Sequence, residues 1–202
     1  MDLILYGARE SGHSYKVRLA LTLMHVPHEY RCVDINLPHE ERPAEFRAVS
    51  RFGEVPVLVD RGQVYVQSDA ILLHLAQREH KFHGRDAIDH DQVREWLFWE
   101  ANRIGISVPN LRYALRWLPD TKPEVLDWLR ARALADLGRM NDEFSGRKFL
   151  LGDFPTVADL ACCGYLYWLD QAGLDIVRWP AVARWLADIS ALPDWKHPYD
   201  LM

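Results

Sequence analysis

The amino-acid sequence predicts a chain in two parts, a mixed α/β domain followed by an all-α domain. Short β-branched and apolar runs of strand length occur only before residue 67, and helix-spaced apolar residues dominate from Asp89 onward. Between them lies Glu79-His80-Lys81-Phe82-His83-Gly84-Arg85-Asp86, polar and carrying the glycine expected after a helix. The expected organisation is therefore a first domain over 1–78, a linker over 79–88 and a helical domain over 89–202. A length of 202 residues with 49% apolar content supplies a sizeable core, and a net charge of −5 argues against nucleic acid as the main partner. No basic region followed by an apolar stretch opens the chain, and no run approaches the ~18 apolar residues of a membrane span. The expectation is a cytoplasmic protein without membrane attachment; no internal repeat or low-complexity tract is visible.

Asp2-Leu3-Ile4-Leu5-Tyr6 reads as the first strand and Gly7 to Gly12 as a loop rich in Gly, Ser and charge. Lys16-Val17-Arg18-Leu19-Ala20-Leu21 continues into a helix ending before Pro27. Ser11, His13 and Ser14 lie at this loop-to-helix junction, where either serine suits an N-cap and a lone histidine is expected at the surface. Val57-Leu58-Val59 and Val64-Tyr65-Val66 form a hairpin about Asp60-Arg61-Gly62-Gln63, with the glycine free to take positive φ. Pro56 opens its first strand. A proline has no N–H to give a sheet, so it belongs at a strand's first residue or edge, and X-Pro is where a cis peptide is accessible. A cis Val55–Pro56 bond would turn the Val55 N–H and C=O outward, to pair with an extended ligand as with another strand. Ser68 stands as N-cap of a helix through Asp69-Ala70-Ile71-Leu72-Leu73-His74-Leu75. On a sharper reading, that helix start holds a ligand carboxylate on its free N–H groups, assisted by the Ser68 hydroxyl and the Gln67 amide.

In the second half, Val93, Leu97, Trp99, Ile104, Ile106, Val108, Leu111 and Leu115 predict one long or kinked helix from Asp89 to Trp117, with Pro109 as the bend. Another helix is expected from Pro123 to Phe144, and a third from Thr156, where Thr156 and Asp159 have capping-box spacing and a structural role. Cys32, Cys162 and Cys163 have no metal-ligand spacing and read as buried free thiols; no metal is expected. The eight tryptophans fall from Trp96 onward, and most belong to the core. Trp99, Arg103, Tyr113 and Trp117, on the expected Phe98 to Trp117 helix, are the candidates for a substrate wall.

Taken in order, Ser11-Gly12-His13-Ser14-Tyr15-Lys16-Val17-Arg18, Gly53-Glu54-Val55-Pro56-Val57-Leu58, Gln67-Ser68-Asp69-Ala70-Ile71 and Pro155-Thr156-Val157-Ala158-Asp159-Leu160 resemble the soluble glutathione transferases over nearly the whole chain. The likeness is to serine-type members, theta-, zeta- or beta-like. It implies a thioredoxin-like first domain, an all-helical second domain, glutathione as co-substrate, a small electrophile as second substrate, a detoxifying role and a homodimer. It also implies site roles: Ser11 as active-site serine, with Ser14 and His13 as second choices; Val55 pairing with the cysteinyl unit; Pro56 as the cis-proline; and Gln67 and Ser68 on the γ-glutamyl carboxylate. Asp69 resembles the acid that approaches the γ-glutamyl amine in the partner subunit. Glu54 departs from the pattern, since members often carry lysine there for the glycyl carboxylate. His39, Arg42 and Arg51 are the cations left for that end.

The chemistry implied is tractable for these residues. A thiol of pKa about 8.5 is only roughly three per cent thiolate at neutral pH, and lowering it by about two units takes roughly 2.7 kcal/mol. One well-aimed hydroxyl at a helix N-terminus supplies about that much. With no cysteine in the Gly7–Ser14 loop, conjugation to an electrophile is favoured over thiol–disulfide exchange. Glutathione-dependent isomerase or peroxidase activity, and a non-catalytic binding or scaffold role, are the alternatives.

Overall fold

The computed structural model describes residues 3–202, so Asp2 of the expected first strand lies outside the described residues. Strands β1 (Leu3–Gly7), β2 (Glu29–Cys32), β3 (Val57–Asp60) and β4 (Gln63–Val66) form one sheet in the order β2-β1-β3-β4. β1 runs parallel to β2 and antiparallel to β3, which pairs antiparallel with β4. The register sets Leu5 opposite Leu58 and Tyr6 opposite Val57. Directly opposed residues share a face, so the alternation of the two strands sorts their side chains into two cores. Leu5 and Leu58 pack with Val17 and Leu21 of helix α1 (Gly12–Leu23) and with Ile71 and Leu75 of α3 (Ser68–Glu79). Tyr6 and Val57 pack on the other face, with Phe46 of α2 (Ala44–Val49). Arg61 (φ 50°) and Gly62 (φ 82°) make the two-residue hairpin turn, both left-handed as a tight turn matched to strand twist requires.

The helical domain contains α4 (Ala87–Asn102), α5 (Ile104–Trp117), α6 (Pro123–Glu143), α7 (Val157–Cys163), α8 (Pro180–Ser190) and α9 (Pro198–Leu201). Every residue of α7 is buried, and it packs against α1 and α3 of the first domain as well as α4 of its own. Thr156 and Asp159 form the expected capping box. Asp159 does more than cap: it also accepts from Leu150 N–H (2.9 Å) and from the Trp185 indole (2.9 Å), tying a loop and α8 to the start of α7. Among the described residues no helix is long and apolar enough to cross a membrane.

Three expectations are corrected here. The bend expected at Pro109 lies six residues earlier, where Arg103 (φ −124°, ψ −95°) separates α4 from α5. Arg103 is held there by its Nε bond to Asp136 of α6 (2.9 Å), and Gly105 follows because a Cβ at that position would overlap the Glu100 carboxylate. Pro109 sits inside α5, where its missing N–H leaves the Gly105 carbonyl unmet by the helix. Cys32 is exposed, because β2 is an edge strand, while Cys162 and Cys163 are buried as expected. The residue preceding α3 is Gln67, in the left-handed region (φ 69°); Ser68 is the first residue of the helix and caps nothing.

Candidate active site

A cleft of about 860 Å³ lies between the two domains. Its floor is the start of α1, one wall is the Gly53–Pro56 segment with the start of α3, and the other wall is α4 and α5.

At the floor, Ser11 is the N-cap of α1. Its oxygen accepts from the Ser14 N–H (3.1 Å), which leaves its own hydroxyl hydrogen for another acceptor, and its side chain lines the cleft. Ser14 is fully buried, accepts from the Ala8 N–H (3.2 Å) and does not line the cleft. Its role is to pin the loop. His13, expected at the surface, is instead half-buried between the cleft and α5, with its Nδ1 enclosed. Burial, with Lys16 beside it, pushes its pKa down to about 3, so the ring is neutral at physiological pH. The ring lies near the Gly105 backbone, the carbonyl that Pro109 cannot meet, and edge-on to Tyr165 at 5.1 Å.

Beneath the floor, Lys16 is 1% exposed and pairs with Asp69 (2.7 Å) and Glu100 (2.8 Å). Buried charge is costly unless paired and hydrogen-bonded, and here two carboxylates face one ammonium. Burial raises the Glu100 pKa, and its Oε2 has no partner among the described residues. Asp69 and Glu100 both reach the cleft.

On the first wall, the Val55–Pro56 peptide is cis, and the Val55 N–H and C=O have no protein partner among the described residues. The first intrahelical bond of α3 runs from Ile71 N–H to the Gln67 carbonyl (3.0 Å), so the N–H groups of Ser68, Asp69 and Ala70 have no helical acceptor and no side-chain cap. The Ser68 hydroxyl is likewise unengaged among the described residues. Gln67 donates to Glu54 (3.2 Å), which accounts for an acidic residue before Val55. Of the three cations considered for the glycyl end, Arg42 lines the cleft; His39 packs over Gly53 outside the lining, and Arg51 lies over Phe52. Arg42 also builds its own loop, donating to the carbonyls of Ile35 (2.9 Å), Leu37 (3.0 Å) and Gly53 (2.7 Å).

On the second wall, Tyr113 and Trp117 line the cleft, their rings stacked at 5.6 Å. Trp99 and Arg103 do not. The cleft side of α4 is the stripe Arg94, Leu97, Phe98, Ala101, spaced three and four residues apart, and Trp99 falls off it to pack on Trp96 (5.4 Å). Arg103 is spent on Asp136 at the helix break.

Of the cleft residues that escaped the sequence reading, Arg112 and Tyr165 join the two domains. Arg112 is 2% exposed, lies over the Trp168 ring (4.4 Å), and donates to the Glu10 carbonyl (2.9 Å), the Glu10 carboxylate and Gln171 (2.9 Å). It anchors the loop that carries Ser11 to the second domain. Tyr165, which follows α7, lies against Gly12 and Ser11. Nothing local marks either residue, since each depends on contacts more than 100 positions away.

A sheet domain presenting an open helix start and free strand-like backbone to a cleft closed by a helical domain is the architecture of the glutathione transferases. Residues 10–78 match the profile of the glutathione S-transferase N-terminal domain and residues 108–193 that of the C-terminal domain. The chain belongs to this family. The crystal structure of a glutathione S-transferase from Xanthobacter autotrophicus Py2 is similar, with 30% identity, 98% of each chain covered and a TM-score of 0.87. Among named relatives, the disulfide-bond oxidoreductase YfcG of Escherichia coli is 23% identical over 94% of this chain and 90% of its own length. The maleylacetoacetate isomerase of Pseudomonas aeruginosa is 27% identical, covering 93% of this chain and 90% of its own length.

Proposed function

We propose that this chain binds reduced glutathione in the interdomain cleft, holds its sulfur as a thiolate with the Ser11 hydroxyl, and conjugates it to a small hydrophobic electrophile. The observation that carries this reading is the pairing of unengaged groups along one cleft: the bare N–H groups of α3 with the Ser68 hydroxyl, the Val55 backbone, and the Ser11 hydroxyl hydrogen. A tripeptide needs those three things in that sequence. Its γ-glutamyl carboxylate takes the helix start with Ser68 and Gln67, its cysteinyl N–H and C=O pair with Val55 beside Pro56, and its sulfur reaches Ser11. The α-ammonium faces Asp69 and Glu100, where carboxylates outnumber cations within the chain itself. The glycyl carboxylate is assigned to Arg42, with its remaining N–H donors.

The thiolate attacks the electrophilic carbon through the apolar half of the cleft, lined by Phe98, Ile106, Tyr113 and Trp117. The C–S bond forms as the leaving group departs with its electron pair, and the thiol proton has already gone to solvent. Cys162 and Cys163 are buried with their thiol pKa values raised, which leaves them unsuited to a dithiol mechanism and favours conjugation over disulfide exchange. Isomerisation through a transient adduct is the second reading, since the same thiolate would initiate it and a relative of similar length carries that name. Assembly as a two-fold homodimer in the cytoplasm completes the proposal, and a sedimentation measurement returning a monomer at micromolar concentration removes the dimer. For the site, calorimetry with reduced glutathione followed by conjugation assays with an aromatic halide is decisive: saturable binding with turnover is expected, and no binding at millimolar tripeptide overturns the reading.

A further inference from the structure

Gly12 and Gly164 bring the two domains into backbone contact at the floor of the cleft. A Cβ at Gly12 would stand 2.7 Å from the Gly164 carbonyl and 2.6 Å from Cγ of Tyr165. This close approach lays the Tyr165 ring over the first residue of α1. His13 at 5.1 Å and Trp168 at 6.0 Å flank the ring and limit its swing. Tyr165 lines the cleft with Ser11, and its phenolic oxygen meets the Ser11 hydroxyl and the Gly12 N–H; an N–H can only donate, so the phenol keeps its own hydrogen to give. Packing alone asks for a phenylalanine here; a hydroxyl carried to the α1 start with a hydrogen still to donate needs another account.

We propose that the Tyr165 hydroxyl is a second hydrogen-bond donor to the ligand sulfur, delivered from the helical domain to the point that Ser11 serves from the first domain. The inference rests on the glutathione reading above. The groups beside the phenolic oxygen are the Ser11 hydroxyl and the Gly12 N–H, the donors at the α1 start that an anionic sulfur would also seek. Burial raises the phenol's pKa, which keeps it protonated as a donor through the neutral range. A thiolate accepts several hydrogen bonds at once, so two hydroxyls act on one sulfur without competing. In this arrangement Tyr165 is a catalytic residue, and the closed seam between the domains is a condition of thiolate formation.

The test titrates glutathione bound to the full chain by its thiolate absorbance, in wild type, Tyr165→Phe, Ser11→Ala and the double variant, with affinity for S-methylglutathione as a control blind to thiol ionisation. Tyr165→Phe keeps the ring and its packing. It is expected to raise the bound-thiol pKa by about half to one unit, while S-methylglutathione affinity stays within about twofold. The double variant is expected to exceed either single one. Gly12→Ala, which pushes the ring aside, should raise the thiol pKa in the same direction. A Tyr165→Phe protein with the wild-type thiol pKa, alongside a Ser11→Ala protein whose pKa rises, overturns the inference and leaves the glutathione reading standing. Loss of S-methylglutathione binding in Tyr165→Phe also overturns it, by assigning the residue to packing. A wild-type bound thiol that titrates like the free tripeptide brings down both.

Discussion

The starts of α3 and α7 are built from similar residue types and behave in opposite ways. At α7 every acceptor is taken: Asp159 receives Thr156 N–H (2.8 Å), the Thr156 hydroxyl (3.2 Å), Leu150 N–H (2.9 Å) and the Trp185 indole (2.9 Å), all in full burial. At α3 a serine, an aspartate and a glutamine stand in the same neighbourhood, yet the helix has no side-chain cap: Gln67 bonds Glu54, Asp69 bonds Lys16 and Ser68 bonds nothing among the described residues. The α1 start lies between these extremes, with Ser11 capping Ser14 while its hydrogen stays available. A satisfied helix start is architecture. One left unsatisfied beside a cleft is a place for an anion, because the dipole and bare N–H groups keep their full attraction for one.

The largest effect that probes this contrast is expected at α7. Asp159→Ala leaves four donors in the core without an acceptor and should lower unfolding free energy by about 3–5 kcal/mol in a denaturant titration. A loss below about 1 kcal/mol would erase the distinction drawn between the two helix starts. Ser11→Ala comes next. It should raise the bound-thiol pKa by about one to two units and lower kcat/KM by about 10- to 100-fold at neutral pH, together with about 1 kcal/mol of stability from the cap. Full turnover and an unshifted thiol in that variant would leave Ser11 as a cap alone.

Ser68→Ala sharpens the comparison from the other side. Affinity for glutathione should fall about tenfold by calorimetry, with unfolding free energy unchanged within about 0.5 kcal/mol, since no cap is lost. The reverse result, unchanged affinity with a weakened fold, would make Ser68 structural. The smallest effect belongs to His13. Its folded pKa lies below the unfolded value, so the unfolded chain binds the extra proton and stability falls as pH drops from about 6.5 towards 3. Between pH 7 and pH 6 this amounts to about 0.7 kcal/mol, and His13→Gln should flatten that part of the stability profile. An unchanged slope would mean that His13 is solvated in the folded protein.

Much of the first wall was legible in the sequence because turn and strand chemistry is local. Pro56 opening a β-branched strand, Gly62 in the hairpin and Gln67-Ser68 at a strand-to-helix change each constrain their own few residues, and the cleft forms where those constraints meet. The register of the cap slipped by one residue, since the left-handed conformation of Gln67 is fixed by its approach from β4 and not by residue type. The second wall was less legible. Periodicity located α4 and α5 but not their break, which depends on Asp136 in a later helix, and the break decides which face of α4 meets the cleft. That is why Trp99 and Arg103 fall outside the cleft while Tyr113 and Trp117 line it. His13 is less exposed than expected and Cys32 more so for reasons of topology alone: α5 half-covers the one and no strand covers the other.

Lys16 places a limit on how this chain can be divided or recombined. One of its two counter-charges comes from α3 and the other from α4, on either side of the connection between the halves. A chimera that took its helical half from a relative lacking an acid at the place of Glu100 would leave the buried ammonium with Asp69 as its single counter-charge, and the first half expressed alone would open that seam to water. The two halves therefore recombine at least cost with donors that supply a carboxylate at that spot.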